Sequence, residues 1–226
     1  MEYKCSQDTI IFDETTIPYN KIGIKLSGGA DSAIVLYMLA KYIMEERGPE
    51  NIELHVITCN SVEKMFQVHH AKKVMNKVSE LTGITYTKHH TAEVSAETDE
   101  SYIGGQRELM NLLYMTGVIE CNLNGVTAIP HPDDCHEMNE GLVGQIIDER
   151  VRNGNIKPHM SGKAFRPLIN VDKRGVAELY QSLGVEEELY PITRSCEGNR
   201  DTNNIEHQCG ECWPCRERKW AFGYLE

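Results

Sequence analysis

Two groups of residues in this 226-residue chain have the composition of chemical sites rather than of core. The first is Ser27-Gly-Gly-Ala-Asp-Ser32, which interrupts an apolar run ending at Leu26 and is followed at once by another beginning at Ala33. Gly28 and Gly29 lack a Cβ, so the chain there can take positive φ and bring backbone amides close to an anion. The hydroxyls of Ser27 and Ser32 add donors, and a helix opening directly behind the turn offers free N–H groups and a positive dipole end. Phosphate is the usual guest of such a turn. The competing reading is a helix start capped by Asp31 or Ser32 with no ligand.

The second group is Cys196 with Cys209, Cys212 and Cys215, the last three at intervals of three. Zinc takes four thiolates in a closed tetrahedral site, and a Cys-x2-Cys turn with Gly210 inside it can wrap a metal while turning amides toward sulfur. Iron–sulfur clusters use the same ligands. The upstream position of Cys196, and the lack of a ferredoxin-type Cys-Pro continuation, favour zinc. His207 is read as a solvent-facing side chain, because four thiolates already complete a ligand set.

These groups need elements to position them. Lys21–Leu26, Leu54–Cys59, Thr85–His89 and Gly125–Ile129 have the character of strands, and helices are expected from Ser32 to about Arg47, from about Glu63 to Thr82, and over Gln106–Glu120. Strand and helix alternate. That order predicts an α/β fold, a parallel twisted sheet with helices on both faces, because parallel strands require crossover connections. Ligands of such sheets bind beyond the carboxyl ends of the strands, where the Ser27–Ser32 turn would stand. Further helices are expected over Leu142–Arg152 and Lys173–Leu183. From Ser195 to Cys215 polar residues, glycine and cysteine replace the alternating pattern, so residues 1–193 are taken as a nucleotide-binding domain and 194–226 as a small zinc-binding subdomain.

Composition narrows the partners. A formal net charge of -11 argues against a general binder of nucleic-acid backbone, which needs a basic face. No apolar stretch approaches the roughly 18 residues of a membrane span. Met1 to Cys5 lacks the basic start and apolar core of a secretion signal, so a cytoplasmic address is expected, where cysteines serve as thiols or metal ligands.

The turn has neither the lysine of a Walker loop nor the spacing of a Rossmann fingerprint. It resembles the Ser-Gly-Gly-x-Asp-Ser signature of the PP-loop ATP pyrophosphatases, which adenylate a substrate and release pyrophosphate. That resemblance implies an adenine nucleotide alpha hydrolase-like fold, ATP held by Leu26, Ser27, Gly28, Gly29, Ala30, Asp31 and Ser32, and magnesium near Asp31. Together with the cysteine group the loop resembles 7-cyano-7-deazaguanine synthase, the QueC family. Pro167-Leu-Ile-Asn-Val-Asp-Lys173, Leu183-Gly-Val185, Ser195-Cys196, Arg218 and Ala221-Phe222 are similar to the same family.

The central part differs from it. Gly104-Gly-Gln-Arg-Glu108 stands where the family has an Arg-Asn pair, with Arg107 and Asn111 nearby, and His131-Pro-Asp-Asp-Cys-His136 only echoes the family's Tyr-Pro-Asp-Cys-Arg stretch beside the deazaguanine. What the resemblance implies is a reaction on 7-carboxy-7-deazaguanine. ATP adenylates the carboxylate, ammonia displaces AMP to give the amide, and a second activation yields the nitrile. The cofactors implied are ATP, Mg2+ and Zn2+, the partners a small deazapurine carboxylate and ammonia, and a homodimer is compatible with it.

Asp133, Asp134 and His136 follow the strand expected to end at Ile129, so they are candidates for proton handling or for holding a base edge; a polar turn with a capping aspartate competes. Lys163 and Arg166 are candidates for acyl or phosphate oxygens, against the alternative of ordinary exposed cations. Lys173 matches the family motif and is read as the start of a helix. Two other functions stay open: a PP-loop tRNA thiolation or sulfur-handling enzyme, against which the acidic charge speaks, and a non-catalytic nucleotide- or zinc-binding module.

Overall fold

The computed structural model describes residues 1–61, 66–94, 99–131, 134, 138, 163–197 and 205–225. A hairpin of β1 (Glu2–Lys4) and β2 (Thr9–Ile11) opens the chain and sets the fully buried Phe12 against Tyr3, Tyr42 and Phe165. The main sheet contains β3 (Lys21–Lys25), β4 (Glu53–Ser61), β5 (Lys88–Val94), β6 (Cys121–Leu123) and β7 (Ala164–Phe165), in the order β5-β4-β3-β6-β7, every neighbouring pair parallel. The parallel sheet expected from the alternation of elements is therefore present.

Successive strand residues point to opposite faces. Ile22, Ile24, Leu54 and Val56 enter the large core shared with α1 (Ala30–Tyr42) and α2 (Phe66–Thr82), while Ile57 faces the other way and meets Met110 and Leu113 of α3 (Asp99–Met115). The helices thus cover both faces. In α1 only Asp31 and Lys41 are not buried, the mark of a helix enclosed on all sides, and a π-helical turn over Ile43–Arg47 extends it to the expected end. Three helices follow in the C-terminal part: α4 (Lys173–Ser182), the short α5 (Glu186–Leu189) and α6 (Trp213–Phe222).

Three expected boundaries are corrected. The fourth strand is Cys121–Leu123, not Gly125–Ile129. The latter segment is apolar because it is buried at the sheet edge, with Ala128 N–H donating to the Val171 carbonyl, and Gly125 passes directly under α1: a Cβ on it would stand 2.6 Å from the Ser32 nitrogen. The third strand starts at Lys88 rather than Thr85, because its register with β4 pairs Lys88 with His55, and as an edge strand it carries His89, His90, Thr91 and Glu93 instead of an apolar alternation. The third helix runs over Asp99–Met115 and ends before Gly117, which takes positive φ. The helix expected over Leu142–Arg152 lies outside the described residues. Among the described residues no helix is long and apolar enough to cross a membrane.

Candidate active site and metal centre

The Ser27–Ser32 turn leaves the carboxyl end of the central strand β3 and leads straight into α1. Leu26 N–H still donates to the Ile57 carbonyl, so the ladder holds the chain up to the turn. Gly28 then takes a φ of +83°, and a Cβ there would stand 2.6 Å from His70 Cβ on α2. Only glycine combines that dihedral with that approach. The turn is braced by its own hydroxyls: Ser32 Oγ donates to the Gly29 carbonyl at 3.1 Å, Ser27 and Ser32 Oγ are 3.2 Å apart, and Gly29 N–H donates to Ser27 Oγ at 3.3 Å. From behind, Arg194 N–H donates to the Gly28 carbonyl at 2.9 Å, and Ser195 Oγ lies 3.2 Å from the place of a Gly29 Cβ.

No side chain caps α1. The capping alternative considered for Asp31 and Ser32 is thereby corrected: Ser32 turns back onto the Gly29 carbonyl, and Asp31 reaches away to α4. Leu26, Ala30 and Ser32 are buried, so what this turn presents is backbone at the start of a helix dipole.

Asp31 is the charged centre of the arrangement. Its Oδ2 lies 2.5 Å from Lys173 Nζ, while its Oδ1 is buried and has no hydrogen-bond partner among the described residues. A buried carboxylate oxygen without a donor is costly unless a cation or water meets it, so this oxygen fits a divalent cation. Lys173 is 3% exposed, and its second carboxylate is Glu217 Oε2 at 3.6 Å. Burial opposes the ammonium charge, but Asp31 and Glu217 outweigh it and raise the Lys173 pKa above its ordinary value.

Local sequence explains how Lys173 gets there. Asp172 caps α4 by accepting from the Arg174 and Gly175 amides and is itself held by Gln7, so Lys173 takes the first helical position, and Tyr180 of the same helix donates to the Ala30 carbonyl at 2.8 Å. Lys173 does start a helix, as expected, but its side chain also enters the site.

The four predicted metal ligands come together. The Sγ atoms of Cys196, Cys209, Cys212 and Cys215 all lie within 4.8 Å of one another, with Cys209–Cys215 and Cys212–Cys196 at 4.0 Å. Four thiolates about 2.3 Å from one tetrahedral ion stand about 3.8 Å apart, so these distances suit a single ion. Backbone N–H groups of Glu197, Cys209 and Cys212 point at the sulfurs of Cys212, Cys196 and Cys209, the amide-to-sulfur contacts that stabilise thiolates. The neighbouring Cys212 thiol and burial push the Cys215 thiol far above its ordinary range, and a bound cation would oppose that shift by taking the place of the proton. Cys212 is also the N-cap of α6 and Cys215 lies in its first turn. The helix carrying Glu217 therefore grows directly out of the cysteine cluster.

A second close group, His69, His70 and Glu206, is better explained as an ion-pair network. The same Glu206 oxygen lies 2.7 Å from His69 Nε2 and 2.6 Å from Lys73 Nζ, so an ammonium already neutralises the carboxylate. The contact ties α2 to the segment in front of Cys209.

The remaining candidates divide. Asp134 lies near the start of α4, its Oδ1 3.5 Å from Arg174 Nη1. Asp133 and His136 lie outside the described residues. Lys163 is exposed, with its Nζ 5.4 Å above the Tyr114 ring. It precedes Ala164, which is level through Asn122 with Gly23, well short of the carboxyl end of β3. The structure does not bring Lys163 to Asp31, and Arg166 is likewise exposed. Sequence reasoning missed Glu217 altogether. Its only signal was helical spacing from Cys212, which carries no hint of where the helix points.

The family described as queuosine biosynthesis protein QueC matches residues 128–226, somewhat under half of the chain. That span holds Asp134, Lys173, the four cysteines and Glu217, and the PP-loop resemblance of the turn lies in front of it. No curated protein sequence matches the chain significantly. Among solved structures, the U34-tRNA thiolase NcsA from Methanococcus maripaludis, determined with its 4Fe-4S cluster, is similar with 17% identity and a TM-score of 0.45, covering 91% of this chain and 72% of that one. An NAD+ synthetase from Burkholderia pseudomallei is similar with 13% identity and a TM-score of 0.43, covering 93% and 76%.

Proposed function

We propose that the chain is a PP-loop enzyme that uses ATP to turn the carboxylate of 7-carboxy-7-deazaguanine into an amide and then into the nitrile 7-cyano-7-deazaguanine. The observation that carries this reading is the QueC match over residues 128–226, which includes Lys173, the buried partner of Asp31 in the glycine turn.

A carboxylate is a poor electrophile because its charge is delocalised and its oxygens are poor leaving groups. Attack of a carboxylate oxygen on the α-phosphorus forms one P–O bond and breaks another, releasing pyrophosphate. Ammonia then adds to the acyl carbon, loses a proton, and expels AMP. A second ATP activates the amide oxygen in the same way, and loss of AMP with the remaining N–H protons leaves the nitrile.

The chain contributes position and charge. The free amides of the first turn of α1, at its uncapped start, would face the phosphates and stabilise the negative charge that builds on the leaving pyrophosphate. Lys173 supplies a buried cation beside them, and Asp31 is the residue to hold magnesium through Oδ1. Magnesium, when bound, neutralises phosphate charge. Asp134, and His136 beyond it, are the candidates to read the deazapurine edge. The four cysteines hold a zinc ion with a structural role, a reading favoured over a cluster because four irons would each take one thiolate and spread the sulfurs wider than 4.8 Å. We read residues 1–193 as the nucleotide-binding domain and 194–226 as the zinc-bearing subdomain.

Incubation with ATP, magnesium, ammonium and 7-carboxy-7-deazaguanine tests this by mass spectrometry. Nitrile, AMP and pyrophosphate are expected together. Pyrophosphate release without consumption of the deazapurine would replace the substrate, and no pyrophosphate release with any carboxylate would overturn the enzyme reading.

A further inference from the structure

We infer that Glu217, on the helix that grows out of the cysteine cluster, is a positioning residue that draws Lys173 away from Asp31 when magnesium and ATP arrive. The inference rests on the reading of the turn as an ATP site and goes beyond it by assigning a role to the helix behind the metal centre.

Lys173 stands between two carboxylates at unequal distances, Asp31 at 2.5 Å and Glu217 at 3.6 Å. The closer pairing occupies the Asp31 oxygen Oδ2, and the other oxygen of that carboxylate has no donor. A divalent cation entering at Oδ1 repels an ammonium on Oδ2. A buried lysine cannot leave its counter-charge without a large penalty, since an unpaired ammonium out of water is strongly disfavoured. Glu217 removes that penalty. The ammonium needs only to shift along a line between the two carboxylates to stay paired while Asp31 turns its charge to the cation.

The surroundings suit a small shift between fixed partners. Lys173 is fixed at the head of α4 by the Asp172 cap, and α4 is anchored to the turn by Tyr180 on the Ala30 carbonyl. Glu217 is fixed because the next residue, Arg218, is fully buried and donates to Thr193 Oγ1 at 2.8 Å and, at 3.5 Å, to Ser195 Oγ and the Tyr190 carbonyl. Three elements distant in sequence, the turn, the head of α4 and the helix of the cysteine cluster, therefore meet at one ammonium.

The test measures ATP binding by calorimetry across a magnesium titration for the wild type, Glu217→Gln and Glu217→Asp, with zinc content and thermal midpoint recorded for each. Glutamine keeps the shape and an acceptor oxygen but not the charge. We expect the magnesium concentration for half-maximal ATP binding to rise about tenfold in Glu217→Gln. Glu217→Asp should restore most of it, with zinc content unchanged in both. A merely structural role would lower the thermal midpoint and leave the magnesium dependence where it was, and that result overturns the inference. If the wild type binds ATP only weakly and without regard to magnesium, the ATP reading fails and the inference with it.

Discussion

The glycine turn and the cysteine cluster are built in opposite ways. The turn keeps its groups available: α1 starts without a side-chain cap, and Asp31 leaves one buried oxygen unengaged. The cluster has its four sulfurs within 4.8 Å of each other, three of them receiving amides from their own loop. On the proposed function, a place that must admit and release a ligand on every cycle cannot satisfy itself, whereas one that holds an ion permanently can.

The comparison breaks most visibly at the cluster. Replacing Cys212 by serine removes a ligand and alters the N-cap of α6, and since zinc binding is folding energy in such sites, bound zinc should be lost and the thermal midpoint should fall by on the order of 10 °C or more. Metal analysis and calorimetry read both, and a variant that kept one equivalent of zinc would show that three thiolates suffice.

Asp31→Ala is the matching change at the turn. It should reduce pyrophosphate release on the order of a hundred- to a thousandfold, while zinc content stays at the wild-type level and the fold is kept. A fall in zinc would mean that the two regions are one folding unit rather than two sites. Gly28→Ala sharpens the contrast by acting on backbone alone. The alanine must hold a φ of +83° with its Cβ pressed on His70, at a cost of about 1–3 kcal/mol in denaturant unfolding, with ATP affinity lowered in parallel.

The smallest effect belongs to Asp134→Asn. Its ion pair with Arg174 is partly exposed and contributes less than about 1 kcal/mol, so stability should hardly move. If Asp134 reads the deazapurine, however, the KM for that substrate should rise about two- to tenfold while ATP binding stays the same. An unchanged KM would leave Asp134 as the end of a turn.

How much of this was legible follows from where the information sits. The turn could be read because its residues are neighbours in sequence and their types are unusual between two apolar runs. The cluster could be read because thiols at intervals of three rarely serve a core. The sheet was legible from the alternation of apolar segments, but not its fourth strand. Cys121-Asn-Leu123 carries a buried Asn122, whereas Gly125 to Ile129 is apolar for the sake of an edge it only passes over. Lys173 was legible as a helix start and not as the partner of Asp31, because that pairing joins residues 142 positions apart. Glu217 was not legible at all. A glutamate on a short helix is ordinarily solvated, and only the packing of α6 against α4 turns it inward.

The brace behind the turn has a consequence in time. The Gly28 carbonyl takes its hydrogen bond from Arg194, two residues before the first cysteine of the cluster, and the Lys173 ammonium takes its second carboxylate from Glu217. A ribosome delivers the turn well before these supports, so on a growing chain the turn stays unbraced until Arg194 and Glu217 have emerged. A chain ended before Arg194 would carry the loop signature yet lack both the brace on the Gly28 carbonyl and the second carboxylate of Lys173.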